Sequence, residues 1–416
     1  MKTSSPASGG SRFPRRGFLR DLLAALAVAI GFSAFIYVDR FGLPHIAAVE
    51  SLLALGAYYG LLTASRRTVL LAGFFIGLLW FYWIGFSFRY YGFPWAVPLI
   101  GLFFGFVYLL YFGILALSTR PYVRALLLFA LTFLAPFGFN WMVPELPLLF
   151  TVFGFDKWQF ALILAALALF ATLKNRWRYA ALLLLAGAVA PAYTPPPMPP
   201  LKIKLVQTRL PQAQKWLPSM QEAIVADNFR QIDDAAAEGY DLVVLPESAF
   251  PLFLNMRPDL IAQLYRRSNE IAIVTGALLF EEGNNYNVTY FFHRNRMRIA
   301  KKTVLVPFGE YIPLPHWIGH WINDLVFGGA SDYIAAKRPT DFVVDDVPFR
   351  SAVCYEATCE PLYRDNPRYM IAVSNNAWFT PSIEPTLQKL LMRYYARRHR
   401  TIVFHSANAA GTGVVK

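Results

Sequence analysis

The 416 residues are 56% hydrophobic and only 16% charged, whereas soluble domains have about 45–50% apolar and about 25% charged residues. This composition predicts a membrane protein and excludes an ordinary soluble globule. The net charge of +13 does not predict a nucleic-acid partner, because many basic residues lie in short loops between apolar runs. Cys354 and Cys359 are too few for a disulfide-built fold, although one local bridge between them stays open.

The first half of the chain consists of apolar runs behind a basic segment, residues 1–20, which we expect to be cytoplasmic. Region 21–193 predicts a transmembrane bundle of about seven helices, because most runs approach the ~20 residues that cross the hydrocarbon core. The runs cover 21–38, 46–64, 68–87, 96–117, 123–142, 157–173 and 179–193.

The loops between these runs differ in charge. Loops rich in Lys and Arg, such as the one with Arg66 and Arg67, alternate with loops that carry a single basic residue. Basic loops stay in the cytoplasm, and an odd number of crossings then places everything after residue 193 outside. The sequence therefore predicts a multi-pass protein of the bacterial inner membrane with a periplasmic C-terminal domain.

A proline-rich linker, residues 194–201, follows the last apolar run and predicts a stiff, extended segment. In residues 202–416, short runs rich in β-branched side chains alternate with helix-like stretches such as 217–238. This alternation is typical of an α/β domain. The predicted fold class is therefore a multi-helix transmembrane bundle followed by an α/β domain.

Reactive side chains follow three of the predicted strands. DLVVLP runs into Glu247, a strand ending near Ile299 is followed by Lys302, and a third strand runs into Cys354. Reactive groups collect where the strands of open α/β sheets end. A carboxylate can take a thiol proton, and an ammonium can stabilise an oxyanion, so the three suit a nucleophilic cysteine. Singly, each is more often a surface residue or an inert buried thiol.

The sequence around these residues resembles a known family. The motifs are LPES at 245–248, KKTVLVPFGEYIPLP at 301–315, CYE at 354–356 and SNNAWF at 374–379. Together they resemble apolipoprotein N-acyltransferases, a membrane-embedded branch of the nitrilase superfamily. The resemblance implies a nitrilase-like α-β-β-α sandwich for residues 202–416.

The resemblance also implies roles for individual residues. It makes Glu247 the general base, Lys302 the oxyanion-stabilising lysine and Cys354 the nucleophile. Glu310 is the additional glutamate that orients Lys302. The family commonly has a histidine two positions after the lysine, and Val304 stands there in this chain, so any helper role of that histidine is absent.

Four further positions match residues that the family needs for activity or substrate binding. Tyr355 and Glu356 directly follow the nucleophile and are expected to support it. Trp216, which ends the run LVQTRLPQAQKW, is expected to bind substrate. Asn287 is a weaker match with the same expected role.

A tryptophan-rich segment, HWIGHWINDLVFGG at 316–329, is a candidate lid. Its side chains Trp317, Trp321 and Phe327 are expected to enter the membrane interface, where aromatic residues settle readily. The alternative is that they are core residues of an ordinary helix, because apolar residues at helical spacing usually are.

The implied reaction has two steps. Cys354 takes an acyl chain from a phospholipid, with phosphatidylethanolamine the expected donor, and passes it from a thioester to the amine of a diacylated apolipoprotein. We expect no cofactor and no metal, since the six His and two Cys show no metal-ligand spacing. Two alternatives stay open: a membrane-anchored nitrilase-type amidase or hydrolase, and a non-enzymatic transporter or receptor with an extracytoplasmic binding domain.

Overall fold

The computed structural model describes residues 15–313 and 333–416, so the predicted lid residues lie outside the described part of the chain. Its N-terminal region is helical, as the apolar runs predict. The helices of this region are α1 (Arg15–Arg40), α2 (Ala47–Thr63), α3 (Arg66–Phe81), α4 (Ala96–Gly113), α5 (Pro121–Leu131), α6 (Lys157–Thr172), α7 (Trp177–Ala180) and α8 (Leu183–Ala188).

Four helical segments of the described chain are long and apolar enough to cross a membrane. They are Gly17–Arg40, Arg66–Tyr91, Ala96–Leu117 and Pro121–Gly138; the apolar helices Ala47–Thr63, Lys157–Thr172 and Trp177–Ala188 are shorter. The N-terminal region is thus a bundle of apolar helices, and the count of about seven spans stays a prediction.

Helices α3 and α4 approach each other closely through glycine. A Cβ atom on Gly77 would lie 2.7 Å from the carbonyl oxygen of Phe104, and one on Gly73 would lie 2.7 Å from that of Tyr108. Small residues let two membrane helices bring their backbones together, where van der Waals packing holds them. The pairing of these two helices therefore depends on both glycines.

The C-terminal region contains two sheets within the described residues. In the first sheet the order is β1-β2-β4-β5-β6, with β3 beside β4, and in the second it is β11-β10-β9-β8-β7. The strands are β1 (Ile203–Leu205), β2 (Leu242–Val244), β3 (Phe250–Phe253), β4 (Ala272–Glu281), β5 (Asn284–His293), β6 (Arg296–Lys301), β7 (Asp341–Val344), β8 (Val347–Val353), β9 (Tyr369–Asn375), β10 (Ile402–Asn408) and β11 (Gly413–Val415).

The two sheets face each other across a buried apolar layer that includes Val244, Val274 and Phe404. Helices cover both outer faces of this pair. On the first sheet, Phe229 and Leu264 pack against the strands from their helices. These outer helices are α9 (Gln212–Lys215), α10 (Pro218–Ala237), α11 (Pro258–Arg267) and α12 (Glu384–His399).

Helix α12 covers the second sheet, and its side chains share one hydrophobic core with the bundle. This core runs from Phe81 of α3 through Tyr355 to Leu391 of α12. The order of layers is therefore helix, sheet, sheet, helix, and the bundle packs against helix α12 on the side of the second sheet. The predicted fold class, a bundle followed by an α-β-β-α sandwich, is confirmed.

Candidate active site

Cys354 lies where strand β8 ends and a 3-10 turn, Cys354–Thr358, begins. Its φ of 54° is in the left-handed region, which non-glycine residues rarely adopt and which functional sites use to aim a side chain. Burial raises the pKa of the thiol well above its ordinary value; the charge of Glu247 adds to this, and that of Lys302 opposes it. At rest the side chain of Cys354 is therefore a neutral thiol. Neither Cys354 nor Cys359 forms a disulfide bond.

Glu247 lies just beyond strand β2 and is 9% exposed. One oxygen of its carboxylate, Oε1, accepts a hydrogen bond of 2.8 Å from Nδ2 of Asn287 on the neighbouring strand β5. Strand β4 passes directly beneath the Glu247 backbone at Gly276. A Cβ atom at this glycine would lie 2.6 Å from Cα of Glu247, so only glycine leaves room for the carboxylate loop.

Lys302 follows strand β6 and is 1% exposed. Its Nζ lies 2.7 Å from Oε2 of Glu310. Burial by itself lowers the pKa of this lysine, but the negative charges of Glu310, of Cys354 when it is ionised, and of Glu247 outweigh it and raise the pKa above its ordinary value. Lys302 is therefore a permanent ammonium in the centre of the site.

Asn287 and Glu310 connect Glu247 to Lys302. Nδ2 of Asn287 donates to Oε1 of Glu310 at 3.1 Å as well as to Glu247. The other oxygen of Glu310 accepts from the backbone N–H of Val306 at 2.8 Å. Asn287 is the weakest match to the family motifs in the sequence. In the structure its single amide group bridges the carboxylates of Glu247 and Glu310.

Glu356 joins the cysteine turn to the lysine loop. One of its carboxylate oxygens accepts from the N–H of Val353 at 2.7 Å. The other accepts from the N–H and the hydroxyl of Thr303 at 2.7 and 2.8 Å, and from the N–H of Val304 at 3.2 Å. Burial raises the pKa of Glu356, while Lys302 and these hydrogen bonds oppose the rise. Its contacts hold the Cys354 turn and the Lys302 loop at a fixed separation.

Tyr355 points away from these charged groups and toward the bundle. Its ring stacks on Phe139 with centroids 5.6 Å apart. Its hydroxyl donates to the carbonyl of Gly138 at 3.3 Å and accepts from the N–H of Asn140 at 3.1 Å. Tyr355 therefore attaches the cysteine turn to the membrane region instead of lining the charged centre.

The remaining predicted substrate residue, Trp216, directly follows helix α9 as its C-cap and is 40% exposed. The residue before it, Lys215, is buried, and its Nζ donates to the backbone carbonyl of Glu247 at 2.8 Å. Sequence analysis missed this lysine, although it stands inside the quoted run that ends in Trp216.

Helix α12 contributes two further groups that sequence analysis missed. Nε2 of Gln388 lies 3.8 Å from Sγ of Cys354. One turn earlier, Glu384 is 2% exposed, and its Oε2 has no hydrogen-bond partner among the described residues. Burial raises the pKa of Glu384 well above its ordinary value, and the charge of Glu247 adds to the rise. The carboxyl group of Glu384 therefore favours its neutral form more than an exposed glutamate does, and it acts on the nearby Cys354 thiol.

Comparison with known proteins identifies the family. A protein from Wolinella succinogenes named apolipoprotein N-acyltransferase is 45% identical over 95% of this chain and 96% of its own length. The chain belongs to the apolipoprotein N-acyltransferase family. A Helicobacter pylori protein of the same name is 37% identical over 92% of this chain and 93% of its own. Residues 19–191 also match the family described as apolipoprotein N-acyltransferase integral membrane domain.

Membership in this family confirms the resemblance that the motifs indicate, and it makes the chain a multi-pass membrane protein. Among solved structures, a CN-hydrolase superfamily protein from Xanthomonas campestris aligns with 51% of this chain and 77% of its own. That alignment has a TM-score of 0.38 and 19% sequence identity. An amidase from Nesterenkonia sp. aligns with 52% of this chain and 79% of its own, with a TM-score of 0.37 and 12% identity.

Proposed function

We propose that this protein transfers an acyl chain from a phospholipid to the N-terminal diacylglyceryl-cysteine amine of apolipoproteins, through a thioester on Cys354. The observation that carries the proposal is a connected set of polar groups around the end of strand β8. Asn287 bridges Glu247 and Glu310, and Glu310 pairs with Lys302. Glu356 then joins the lysine loop to the turn that begins at Cys354. Family membership supports the substrate class, since the relatives are named for acyl transfer to apolipoproteins.

In the first step, the sulfur of Cys354 attacks the ester carbonyl of the donor while Glu247 takes the thiol proton. The high thiol pKa supports this coupling, because a neutral thiol needs a base at the moment of attack. The C–O bond of the ester then breaks. Glu247 returns the proton to the leaving alkoxide, and a lysophospholipid departs.

In the second step, the amine nitrogen of the acceptor attacks the thioester carbonyl. Glu247 takes the proton that the nitrogen loses and delivers it to the departing sulfur, so the thiol is restored and an amide is formed. Both steps pass through an oxyanion, which Lys302 stabilises as a permanent ammonium. One donor of this kind contributes about 3–4 kcal/mol in the transition state.

Both substrates are lipids, and the proposed role of the bundle is to keep their acyl chains out of water. Exposing an acyl chain costs about 0.8 kcal/mol per CH₂ group. The core shared by the bundle and helix α12, and the stacking of Tyr355 on Phe139, support access from the membrane side. Phosphatidylethanolamine is the proposed donor.

The charge of the loops supports an orientation with the N-terminus in the cytoplasm and the catalytic domain in the periplasm, on the inner membrane. The proposal involves no cofactor. Among the described residues, no group of three or more His, Cys, Asp and Glu side chains is arranged to hold a metal ion.

Acyl-enzyme trapping tests the proposal. After incubation with labelled phospholipid, intact mass should increase by one acyl group, located at Cys354, and a diacylated lipopeptide should remove the label as an N-acylated product. Cys354→Ser should abolish transfer, whereas the matched control Cys359→Ser should retain it. Loss of the label as free fatty acid, with no N-acylated peptide, would instead establish the membrane-anchored hydrolase.

A further inference from the structure

Lys215 is a second buried lysine at the catalytic centre. It is 2% exposed, and lysine is almost never fully buried unless it is paired. Within the described residues no carboxylate lies within 4.0 Å of its Nζ, so Lys215 forms no ion pair there. Its hydrogen-bond partner is instead the backbone carbonyl of Glu247, at 2.8 Å.

The turn that carries Lys215 is anchored from its other end. Oε1 of Gln212 accepts from Nδ2 of Asn375 at 2.8 Å, and Oδ1 of Asn375 accepts from Nδ2 of Asn408 at 2.9 Å. Asn375 and Asn408 end the parallel strands β9 and β10. Lys215 therefore has a fixed position, built from the same strand ends that border the site.

The two buried lysines differ in their electrostatic surroundings. Lys302 has the carboxylate of Glu310 beside it, and its pKa is raised. Among the described residues, Lys215 has no such partner. Burial lowers its pKa to about 8, although Glu247, and Cys354 when it is ionised, act to raise it. Lys302, Glu310 and, when it is ionised, Glu384 act in turn on the Cys354 thiol.

We propose that Lys215 is a positioning residue of the acyl transfer: its ammonium holds the Glu247 backbone in place and supplies a second positive charge that stabilises the Cys354 thiolate. The inference rests on the proposed function, in which Cys354 is the nucleophile and Glu247 its base. In this proposal the active site contains two lysine ammonium groups with different roles. Lys302 faces the oxyanion, and Lys215 supports the base and the sulfur.

The charge of Lys215 gives this role a pH dependence. A lysine is cationic below its pKa, so its support of the thiolate is present below pH about 8 and is lost above it. Arginine in the same place stays cationic throughout this range. Wild type and Lys215→Arg should therefore react alike below pH 8 and diverge above it.

The test is the rate of Cys354 alkylation by iodoacetamide between pH 6.5 and 9.5, measured in the full-length protein with Cys359→Ser. Lys215→Gln keeps an N–H donor for the Glu247 carbonyl but removes the charge. We expect it to slow alkylation about tenfold, because a one-unit rise in thiol pKa lowers the thiolate fraction about tenfold. Lys215→Met should be at least as slow, and Lys215→Arg should retain most of the rate.

The matched control is Lys204→Met, which removes a lysine of strand β1 that pairs with Glu238 at the surface; it should leave the alkylation profile unchanged. Thermal unfolding of each variant shows whether it is folded. If Lys215→Met does not fold, the Gln and Arg variants still give the comparison. A wild-type alkylation profile in Lys215→Gln would overturn the inference. Because alkylation needs no lipid substrate, this result is independent of whether the acyl-enzyme experiment succeeds.

Discussion

The two sides of the turn Cys354–Thr358 are built from different interactions. On the side of the first sheet, the carboxylate of Glu356 accepts four hydrogen bonds that hold the lysine loop and the start of the Cys354 turn together. On the side of the bundle, Tyr355 stacks on Phe139, and Thr358 accepts from the indole N–H of Trp141 at 2.7 Å. One turn thus has a charged face and an aromatic face.

The two faces differ in how much a small displacement of their side chains costs in free energy. Hydrogen bonds to a buried charge contribute about 1.5–3 kcal/mol each, and losing one leaves a desolvated charge without a partner. An aromatic contact contributes about 0.5–1.5 kcal/mol beyond the area it buries and tolerates small shifts. Changes on the charged side should therefore damage the chemistry itself, whereas changes on the bundle side should damage its coupling to the membrane.

The largest expected effect is on the charged side, at Gly276. In Gly276→Ala the new Cβ meets the Glu247 backbone and must displace it. A misplacement of about 1 Å can cost on the order of 100-fold in rate, so we expect acyl-enzyme formation to fall by about that factor. The control is Gly56→Ala, where a Cβ meets no atom within 4 Å. Equal rates for both variants would contradict the proposed role of Gly276.

Glu356→Gln is expected to have the next largest effect. The amide keeps one acceptor oxygen but turns an N–H group toward backbone donors, so the lysine loop and the cysteine turn separate. Loss of a charge-assisted hydrogen bond predicts about a 10–100-fold fall in both acyl-enzyme formation and thiol alkylation. Glu360→Gln, which changes an exposed glutamate on the next turn, is the control. A fall in lipid turnover with normal alkylation would show that Glu356 does not position the thiol.

The smallest effect is expected on the bundle side. Tyr355→Phe keeps the ring against Phe139 but removes the hydroxyl that contacts Gly138 and Asn140. The loss of neutral hydrogen bonds predicts about a 2- to 10-fold fall in lipid turnover. Alkylation of Cys354 by iodoacetamide should stay unchanged, because the charged face is intact. An equal loss in both assays would show that the two faces are not separable.

Much of the architecture could be predicted from the sequence, because periodicity and turn chemistry are local. The stretch 217–238 predicts the helix found at Pro218–Ala237, and the run DLVVLP predicts strand β2. The pattern does not show every turn. Residues 342–356 form one run rich in β-branched and apolar side chains, but within it lie two antiparallel strands, β7 and β8, because Asp345 and Asp346 both adopt positive φ and turn the chain.

The apolar run 123–142 predicts one continuous helix, but the helix in the structure is shorter. Helix α5 ends at Leu131, and a 3-10 turn, Pro136–Gly138, follows. This turn contacts the C-terminal domain, because the carbonyl of Gly138 accepts a hydrogen bond from the hydroxyl of Tyr355. Hydropathy recognises apolar residues but does not show that a segment leaves the helix to meet a distant turn.

The sequence alone determined the family, the bundle followed by an α/β domain, and the candidate residues Glu247, Lys302 and Cys354, because motifs and hydropathy are properties of neighbouring residues. Only the tertiary structure decided the buried environment around them. Lys215 and Glu384 look like ordinary surface residues in the sequence. Their burial, and with it their altered pKa values, depends on strands and helices far away in the chain that exclude water from around them.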